Sequence, residues 1–534
     1  MIKKLLNGKI NSITSAAMIL GIASLASKFL GLYRDRILAG SFGLGGELDI
    51  YFASFRIPDL IFNIVVLGAI SAGFIPVFSK LISQKKEEEA FKTANAVLNL
   101  VMTALLFLCL LGIIFAPIIV SLLTPGFSVE KKDLTVELTR IMFLSPVFLL
   151  LSSITGGILQ SYKRFFIYSL SPIMYNFGII VGALYFAPDW GIHGLAWGVV
   201  LGSFLHFAVQ LPIVKKLGFS YRFILDLKDV GAREIIKMML PRTLTLVTVQ
   251  LNLIVITIIA STLSEGSLSA FNFANNLQSF PLGLFAISFA VASFPTLSAL
   301  SEDKKEFAKN LTTTTKQILF FIIPVSILLI VLRAQIVRTI FGTGQIGWEE
   351  TIMLLDSVAF FSFSLFAQSV IPLFSRAFWA LHDAKTPFLT SLTSVVVNIV
   401  LAFYLSAQYG IIGLVAAFSI SAIVNAFLLY YLINKKTDFI CHTRIYKPLL
   451  KISFAALISG YLSYETLYFI EPIIATGTGL GIFLQGLIAG IAGLVLYCIL
   501  SWQMKIEEFI IFKNSIQKRL FKTKIETTEI ITED

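Results

Sequence analysis

Long apolar runs, separated by short polar stretches, account for most of the chain. Fourteen of these runs reach the roughly 20 residues that a helix needs to cross about 30 Å of hydrocarbon. They lie near residues 12–33, 50–79, 94–123, 137–160, 166–187, 191–214, 236–262, 268–299, 315–342, 352–380, 387–406, 410–434, 449–469 and 478–502. The pattern predicts an all-α integral membrane protein with about fourteen transmembrane helices.

The composition agrees with this prediction. Of the 534 residues, 57% are hydrophobic and 14% are charged, whereas about a quarter of a typical soluble domain is charged. The three cysteines, Cys109, Cys441 and Cys498, are scattered along the chain and form no paired motif. Their spacing predicts neither a disulfide framework nor a zinc site.

Basic residues are concentrated in the N-terminus, the C-terminal tail and alternate loops between the apolar runs. Loops of a membrane protein that are rich in Lys and Arg face the cytoplasm. An even number of spans then places both termini on the cytoplasmic side. Membrane topology explains the net charge of +11, so no nucleic-acid partner is expected. The basic N-terminus lacks a cleavage site, and we interpret it as the start of a retained first helix.

Two parts of the chain resemble each other. A run that contains Pro76 is similar to a run that contains Pro295, at an offset of 219 residues. A second match follows in both halves, with Asn176 aligned to Asn398. Because six predicted spans separate the copies, the two halves have the same orientation in the membrane. This plan is typical of secondary transporters.

The repeat predicts two six-helix lobes, followed by two extra helices and a tail. In the tail, apolar and basic residues alternate in a way that predicts a helix on the inner membrane surface, and the polar end is expected to be disordered. A cavity between the lobes is the expected substrate site. The predicted parts are an N-terminal lobe at 1–216, a cytoplasmic linker at 217–235, a C-terminal lobe at 236–434, two extra helices within 449–502 and the tail at 503–534.

The first two predicted helices carry charged residues that cannot face lipid cheaply, since a charge at a helix centre costs about 3 kcal/mol or more. They include Lys28, Arg34, Asp35, Asp49 and Arg56. Lys28 and Asp35 lie on one helix face together with small residues, at steps of three to four residues. The planar fork of Arg suits a phosphate ligand, and Lys supplies a point charge. We therefore predict a water-filled, cationic cavity for an anionic substrate.

A competing interpretation treats Arg34 and Arg36 as anchors that extend to the outer interface, with Asp35 and Asp49 as their structural partners. For Arg36 this interpretation is favoured. For Lys28 the cavity is favoured, because this residue is several turns from either helix end.

In the second half, the matching region is rich in amides and poor in charge. The segment AFNFANNLQSF contains Asn272, Asn275, Asn276 and Gln278, and Arg242 lies on the preceding predicted helix. Amides of this kind line cavities or form hydrogen bonds between helices, and the two interpretations are balanced here. Arg242 is equally compatible with a role as an anchor at the inner interface.

Motifs for catalysis are absent from the sequence. The four histidines are far apart, and neither HExxH, GxxxxGK[ST] nor GxSxG occurs. We expect no catalytic residue, no metal and no cofactor. The chain is predicted not to be an enzyme, and an ATP-driven pump is not expected from this chain alone.

Three early runs, SKFLGLYRDRILAGSFG, ELDIYFASFRIPDLIFN and GAISAGFIPVFS, resemble the N-terminal signature of the lipid II flippases. This is the MurJ (formerly MviN) family of the multidrug/oligosaccharidyl-lipid/polysaccharide exporter superfamily. Later runs are similar to the same family: PRTL, GSLSAFNFANNLQSFPLGLF and RAFWALHDAKTPF. The resemblance covers nearly the whole chain.

The resemblance implies a protein of the bacterial cytoplasmic membrane that flips lipid II, an undecaprenyl-pyrophosphate-linked disaccharide pentapeptide, to the outer leaflet for peptidoglycan synthesis. It implies alternating access between the two lobes, with the last two helices forming a groove for the lipid tail. The expected partners are lipid II and membrane lipids, and the expected state is a monomer.

By position, Arg34 and Asp35 match an Arg-Asp pair of the family, Asp49 matches its acidic residue, and Lys28 stands where Arg is usual. Two cavity arginines of the family are replaced by Phe62 and Asn276. The nearest candidates to supply the missing cations are Arg56 and, preferentially, Arg242. The predicted substrate-binding residues are Lys28, Arg34, Asp35, Asp49, Arg56, Arg242 and Asn276.

Because of the two replacements, other functions stay open: a polysaccharide or O-antigen-type flippase, a drug exporter of the same superfamily, or a membrane-embedded enzyme acting on a lipid-linked sugar. The coupling ion is also open, since either Asp35 or Asp49 is a candidate for binding protons or sodium. A membrane potential, negative inside, would favour outward movement of an anionic head group.

Overall fold

The computed structural model describes residues 13–67, 73–226, 230–342, 344–437, 442–474 and 477–521, with the side chains of 13–18, 67, 230, 236–246, 442–445 and several residues after 514 left out. These residues form helices and no strand, which confirms the all-α class. The helices are α1 (Ile13–Phe42), α2 (Gly46–Phe62), α3 (Ile75–Ser83), α4 (Glu87–Leu123), α5 (Val129–Met142), α6 (Leu144–Ser161), α7 (Phe165–Val181), α8 (Ala187–Trp190), α9 (Ile192–Ala208), α10 (Leu211–Lys216), α11 (Val230–Ser261), α12 (Ser267–Pro281), α13 (Ser288–Ala299), α14 (Lys304–Val331), α15 (Arg333–Phe341), α16 (Trp348–Ala380), α17 (Lys385–Thr437), α18 (His442–Ile470), α19 (Gly479–Gln503) and α20 (Glu507–Phe521).

Nine helical stretches in the described part of the chain are long and apolar enough to cross a membrane. One of them, α17, has 53 residues and would be about 80 Å long if straight, far more than one crossing needs. It is interrupted at Gly410, where a φ of 57° breaks the helix. This break separates the two predicted spans 387–406 and 410–434. The total of fourteen spans stays a prediction.

The chain divides by its internal contacts into two compact units. The first contains the residues up to Leu277, with Ile340–Ser357 and Ser391–Ser421. The second contains Gln278–Thr339, Val358–Thr390 and the residues from Ala422 onward. These units are defined by contacts within the fold, whereas the two lobes are predicted from the sequence repeat. The division into two lobes therefore stays a prediction.

A close backbone contact in the first unit fixes the position of α7, the helix that carries Asn176. A Cβ atom at Gly178 of α7 would lie 2.3 Å from the Cα atom of Gly202 of α9. Only glycine permits this approach, which is how small residues bring membrane helices together. On its other side α7 packs against α1, so that Asn176 of α7 reaches the polar side chains of α1.

The helix α2 changes its winding just after its last charged residue. It continues into a π-helical turn at Asn63–Leu67, and Asn63 Nδ2 donates to the carbonyl of Asp59 over 2.7 Å. Turns of this type are frequent at functional sites. The small residues beyond this turn, Gly68, Ala69, Ser71, Ala72 and Gly73, predict a helix contact or a bend, and 68–72 lie outside the described residues.

The second unit contains the last helices of the chain. Tyr497 of α19 donates from its hydroxyl to the carbonyl of Phe320 of α14 over 2.8 Å. The amphipathic segment predicted in the tail is helical in α20, and Lys316 of α14 forms ion pairs with Glu507 and Glu508 at its start. The polar end of the tail lies outside the described residues.

Candidate substrate-binding cavity

A polar cavity of about 280 Å³ lies within the first unit. We call it the anion cavity. Its walls come from α1, α2, α7, α11 and α12, and its polar lining consists of Arg34, Tyr51, Arg56, Asp59, Tyr175, Asn272, Asn275 and Asn276. In the part of the lining that the structure describes, two guanidinium groups and one carboxylate thus share one small cavity.

Arg34 of α1 is held from two sides. Its Nε and Nη2 atoms donate to Oδ1 of Asp35 over 3.0 and 2.6 Å, and its Nη1 atom donates to Oδ1 of Asn176 over 2.9 Å. A guanidinium has five N–H groups, so two remain after these contacts with described residues. The side chain of Arg34 is 19% exposed. It is therefore fixed in orientation and still able to bind a ligand in the anion cavity.

Asp35 is buried, with 1% of its surface exposed. Its Oδ1 atom accepts both hydrogen bonds from Arg34, and its Oδ2 atom accepts one from Asn276 Nδ2 over 3.0 Å. A buried carboxylate is stable only when it is paired and hydrogen-bonded, and both conditions are met here. Asp35 therefore positions Arg34.

Arg56 of α2 is the second cation of the anion cavity. Its Nε atom donates to Oγ1 of Thr257 over 2.8 Å, and its Nη2 atom donates to Oδ1 of Asn272 over 2.8 Å. Both acceptors are neutral, so the charge of Arg56 is oriented by these contacts and not cancelled by them. Asp59 lies one turn farther along α2 and interacts electrostatically with Arg56.

Asp49 has a different environment. Its Oδ2 atom accepts from the backbone N–H of Gly266 over 2.8 Å, and its Oδ1 atom accepts from the backbone and the hydroxyl of Ser269 over 2.8 and 2.6 Å. It caps the start of α12, where a carboxylate is favoured by unpaired N–H groups. Asp49 does not line the anion cavity, and its predicted role in substrate binding stays a prediction.

The remaining predicted site residues lie elsewhere. Lys28 is half-buried on α1, about 9 Å along the helix axis from Arg34, and is not part of the lining. The side chain of Arg242 lies outside the described residues. Arg36, predicted to be an interfacial anchor, donates from Nη1 to the carbonyl of Ile340 over 3.2 Å.

The two positions where the resemblance predicts arginine are both at cavity walls. Asn276 lines the anion cavity. Phe62 lines a second cavity of about 550 Å³ inside the first unit, which we call the bundle cavity. Its other polar or titratable residues are Asp59, Asn63, Ser152, Ser153, Gln160, Tyr168, Tyr175 and His206. Asp59 and Tyr175 line both cavities.

The sequence does not single out every residue of this site. Tyr51, Thr257 and Tyr175 are absent from the predictions, and Asn176 enters them only as a repeat position. The spacing on α2 carries a signal, because Tyr51, Phe55 and Asp59 recur every four residues and therefore share one helix face. No such signal exists for the partners on other helices.

The donors of the anion cavity suit an anionic ligand. Two oriented guanidinium groups offer forked donors to phosphate oxygens, and the amides add neutral donors. Among the described residues no group of three or more His, Cys, Asp or Glu side chains is arranged to hold a metal ion.

Comparison with known proteins points to one family. A family model described as lipid II flippase MurJ matches residues 38–486. A probable lipid II flippase MurJ from Buchnera aphidicola subsp. Schizaphis graminum is 29% identical over 465 residues, covering 86% of this chain and 90% of the relative. The lipid II flippase MurJ of Burkholderia cenocepacia is 27% identical over 423 residues, covering 77% of this chain and 82% of the relative.

Solved structures agree with the sequence comparison. A lipid II flippase MurJ in an inward closed conformation matches with a TM-score of 0.75 and 28% identity, covering 91% of this chain and 99% of that one. An inward-facing multidrug resistance MATE family transporter matches with a TM-score of 0.64 and 16% identity, covering 78% of this chain and 98% of that one. The second likeness concerns the fold alone.

Proposed function

This chain belongs to the lipid II flippase MurJ family, and on that premise we propose that its anion cavity receives the pyrophosphate of lipid II during transport. The protein flips lipid II from the cytoplasmic to the outer leaflet of the bacterial inner membrane, which it crosses several times. The observation that carries the proposed site is the presence of Arg34 and Arg56 in the lining of one cavity.

The two arginines offer forked donors to the pyrophosphate oxygens. The pyrophosphate of lipid II is esterified at both ends, so each phosphorus keeps one ionisable oxygen and the group carries about two negative charges near neutral pH. Arg34 has N–H groups left after its contacts with Asp35 and Asn176, and Arg56 is oriented by Thr257 and Asn272. Charge-assisted bonds from such donors are about twice as strong as neutral ones.

The size of the anion cavity limits what it holds in this conformation. Its volume of about 280 Å³ lies just below the range of typical ligand sites, which is about 300 to 1,000 Å³. We infer that it takes the pyrophosphate and not the whole disaccharide pentapeptide. The remainder of the head group then requires the cavity to widen, as alternating access between two lobes would provide.

We propose that the prenyl chain uses apolar surface in the second unit. A cavity of about 710 Å³ there is lined by α14, α16 and α18, with Ile327, Phe363, Phe366 and Leu457 among its residues. This lining is almost entirely apolar, as a prenyl chain requires. The resemblance implied a groove at the last two helices, and α18 is the first of these.

The remaining details of the proposal concern topology and assembly. Both termini face the cytoplasm, because the basic loops alternate with loops that contain almost no Lys or Arg. The protein acts as a monomer and leaves the lipid chemically unchanged. A membrane potential, negative inside, assists outward movement by about 2.3 kcal/mol per charge per 100 mV.

Transport of labelled lipid II in sealed proteoliposomes tests this function. We expect the purified protein to change the leaflet in which the label is accessible, and to leave the lipid intact by mass spectrometry. Arg34→Ala should lose this activity, whereas Arg222→Ala, which removes an exposed arginine in the predicted linker, should retain it. New covalent products would support the enzyme alternative, and transport of unrelated drugs would support the exporter alternative.

A further inference from the structure

Three carboxylates lie on the first two helices near the site, and only two of them accept hydrogen bonds from residues that the structure describes. Asp35 accepts from Arg34 and Asn276, and Asp49 accepts from Gly266 and Ser269. Both acids were candidates for ion coupling, but their oxygens are engaged in fixed contacts. Asp59 has no such contact among the described residues, and it lies at the border of two cavities.

The carboxylate of Asp59 accepts no hydrogen bond and forms no ion pair with any residue that the structure describes. The nearby Arg56 is turned to Thr257 and Asn272. Asp59 is partly enclosed and borders the anion cavity on one side and the bundle cavity on the other. An ionised carboxylate that lacks donors at such a site is costly, and a proton removes the cost.

The charge balance of the anion cavity also depends on Asp59. Arg34 and Arg56 contribute two positive charges, and Asp35 and Asp59 contribute two negative charges when both are ionised. The sum is then zero, which offers no net attraction to a dianionic pyrophosphate. Protonation of Asp59 leaves one net positive charge and removes the repulsion between this carboxylate and the phosphate oxygens.

We propose that Asp59 is a proton-binding site that couples lipid II binding in the anion cavity to the uptake of one proton through the bundle cavity. The inference rests on the proposed function for its substrate. Asp59 takes the proton from water and returns it when the head group leaves. Because binding effects are reciprocal, the proton must strengthen lipid binding to the same extent that lipid strengthens proton binding.

A proton fits this site better than a metal cation. Hard cations are held by sets of oxygen ligands that include several carboxylates or carbonyls, and among the described residues Asp59 is the only carboxylate in the lining of either cavity. The titratable or charged groups that face it are Arg56 and Tyr51 on α2, Arg34 on α1, Tyr168 and Tyr175 on α7, and His206 on α9. Among the described residues of the lining, the side chains from α6, α11 and α12 are uncharged.

His206 provides the matched control, because it lines the same bundle cavity as Asp59 and carries ring nitrogens that can bind a proton. Its Nδ1 atom is hydrogen-bonded to the hydroxyl of Ser152. Asp59→Asn keeps the shape of the side chain and removes its proton exchange. His206→Gln removes the imidazole and leaves Asp59 in place.

The first test needs no substrate. Infrared difference spectra of the full-length protein in nanodiscs, titrated from about pH 5 to 9, should contain a protonated-carboxyl band that is missing in Asp59→Asn and present in His206→Gln. Identical spectra for the wild type and Asp59→Asn would overturn the proposal. Sodium that abolishes the band at constant pH would overturn the assignment to a proton.

The second test counts protons during lipid binding by calorimetry in buffers of different ionisation enthalpy. We expect wild type and His206→Gln to take up close to one proton per lipid II, and Asp59→Asn to take up none. Wild-type affinity should fall by up to about tenfold per pH unit on the alkaline side, whereas Asp59→Asn should be independent of pH. Lipid binding without proton uptake, or uptake that disappears in His206→Gln, would overturn the proposal. Failure of the wild type to bind lipid II would refute the proposed function instead, and the infrared titration would still decide whether Asp59 exchanges a proton.

Discussion

Asn276 donates a hydrogen bond from Nδ2 to Oδ2 of Asp35 over 3.0 Å. The resemblance to the flippase family predicts arginine at this position. An amide satisfies the carboxylate without adding a second positive charge, so the charge of Asp35 is matched by Arg34 alone. The cation that the family has at this point is therefore missing here, and Arg56 is the other guanidinium in the described lining of the anion cavity.

Arg34→Lys is expected to be nearly as damaging as Arg34→Ala. A lysine cannot bridge Asp35 and Asn176 as Arg34 does and still present a fork to phosphate. The loss of charge-assisted bonds should weaken lipid II binding roughly tenfold to a hundredfold. Binding and vesicle transport measure this, with Arg222→Lys as control. Normal transport by Arg34→Lys at equal protein levels would instead favour an interfacial role for Arg34.

Arg56→Gln should reduce lipid II affinity by about tenfold or more, because it removes one of two cations from the anion cavity. Adding Asn276→Arg should restore part of this affinity, since it places a cation in the same lining. The single and double variants are compared by lipid II binding. If Arg56→Gln binds as tightly as the wild type, Arg56 does not contact the substrate.

Arg242→Ala is expected to abolish transport, because Arg242 follows Pro241 near the predicted cytoplasmic end of its helix and would meet the entering head group early. Phe62→Arg should be tolerated, and should partly rescue the loss. Complementation of a flippase-depleted strain measures both effects. A nearly silent Arg242→Ala at matched protein levels would identify Arg242 as an anchor at the inner interface.

Asp49→Ala should affect folding more than binding. The substitution leaves the N–H groups of Gly266 and Ser269 and the Ser269 hydroxyl without their acceptor, at a cost of about 3 kcal/mol. Thermal unfolding of the purified protein should show this loss, whereas Glu47→Ala, an exposed acid in the same helical turn, should change stability by less than about 0.5 kcal/mol. Unchanged stability with lost lipid II binding would contradict the structural role.

Asp383→Asn should destabilise the protein near neutral pH and progressively less in acid. Burial raises the pKa of Asp383, but donors from Lys436 and Thr386 outweigh it and hold the pKa at about 2, below its usual 3.8. A carboxyl with a lowered pKa stabilises the fold above its ordinary pKa and loses that effect as pH falls through the lowered value. The window is therefore from about pH 4 to about pH 2.

Thermal unfolding of wild type and Asp383→Asn at several pH values checks this prediction. The difference in melting temperature should be constant from neutral pH to about pH 5 and should narrow below pH 4. Lys436→Ala is a useful second variant, because it removes one donor and leaves the carboxyl. An equal difference at pH 3 and pH 7 would show that Asp383 acts by its shape and not by its charge.

The sequence alone determined the class of this protein, because a chain that crosses lipid must satisfy every backbone hydrogen bond within helices, and long apolar runs mark those helices directly. It also placed Arg34 next to Asp35 in the chain, but successive side chains of a helix do not face each other, so their contact was shown only by the structure. The other partners depended on tertiary structure. Arg34 meets Asn176 across 142 residues, and Asp35 meets Asn276 across 241 residues.

Helix packing decided these pairs and also separated acids that look alike in the sequence. Asp49 and Asp59 are ten residues apart on one helix, but the first meets the N-terminal turn of α12 and the second borders two cavities. The physical reason is that helical periodicity gives the face on which a residue lies, whereas the groups opposite that face are set by which helix packs there. That choice depends on close backbone contacts, such as that of Gly178 with Gly202, and no local pattern of residues records it.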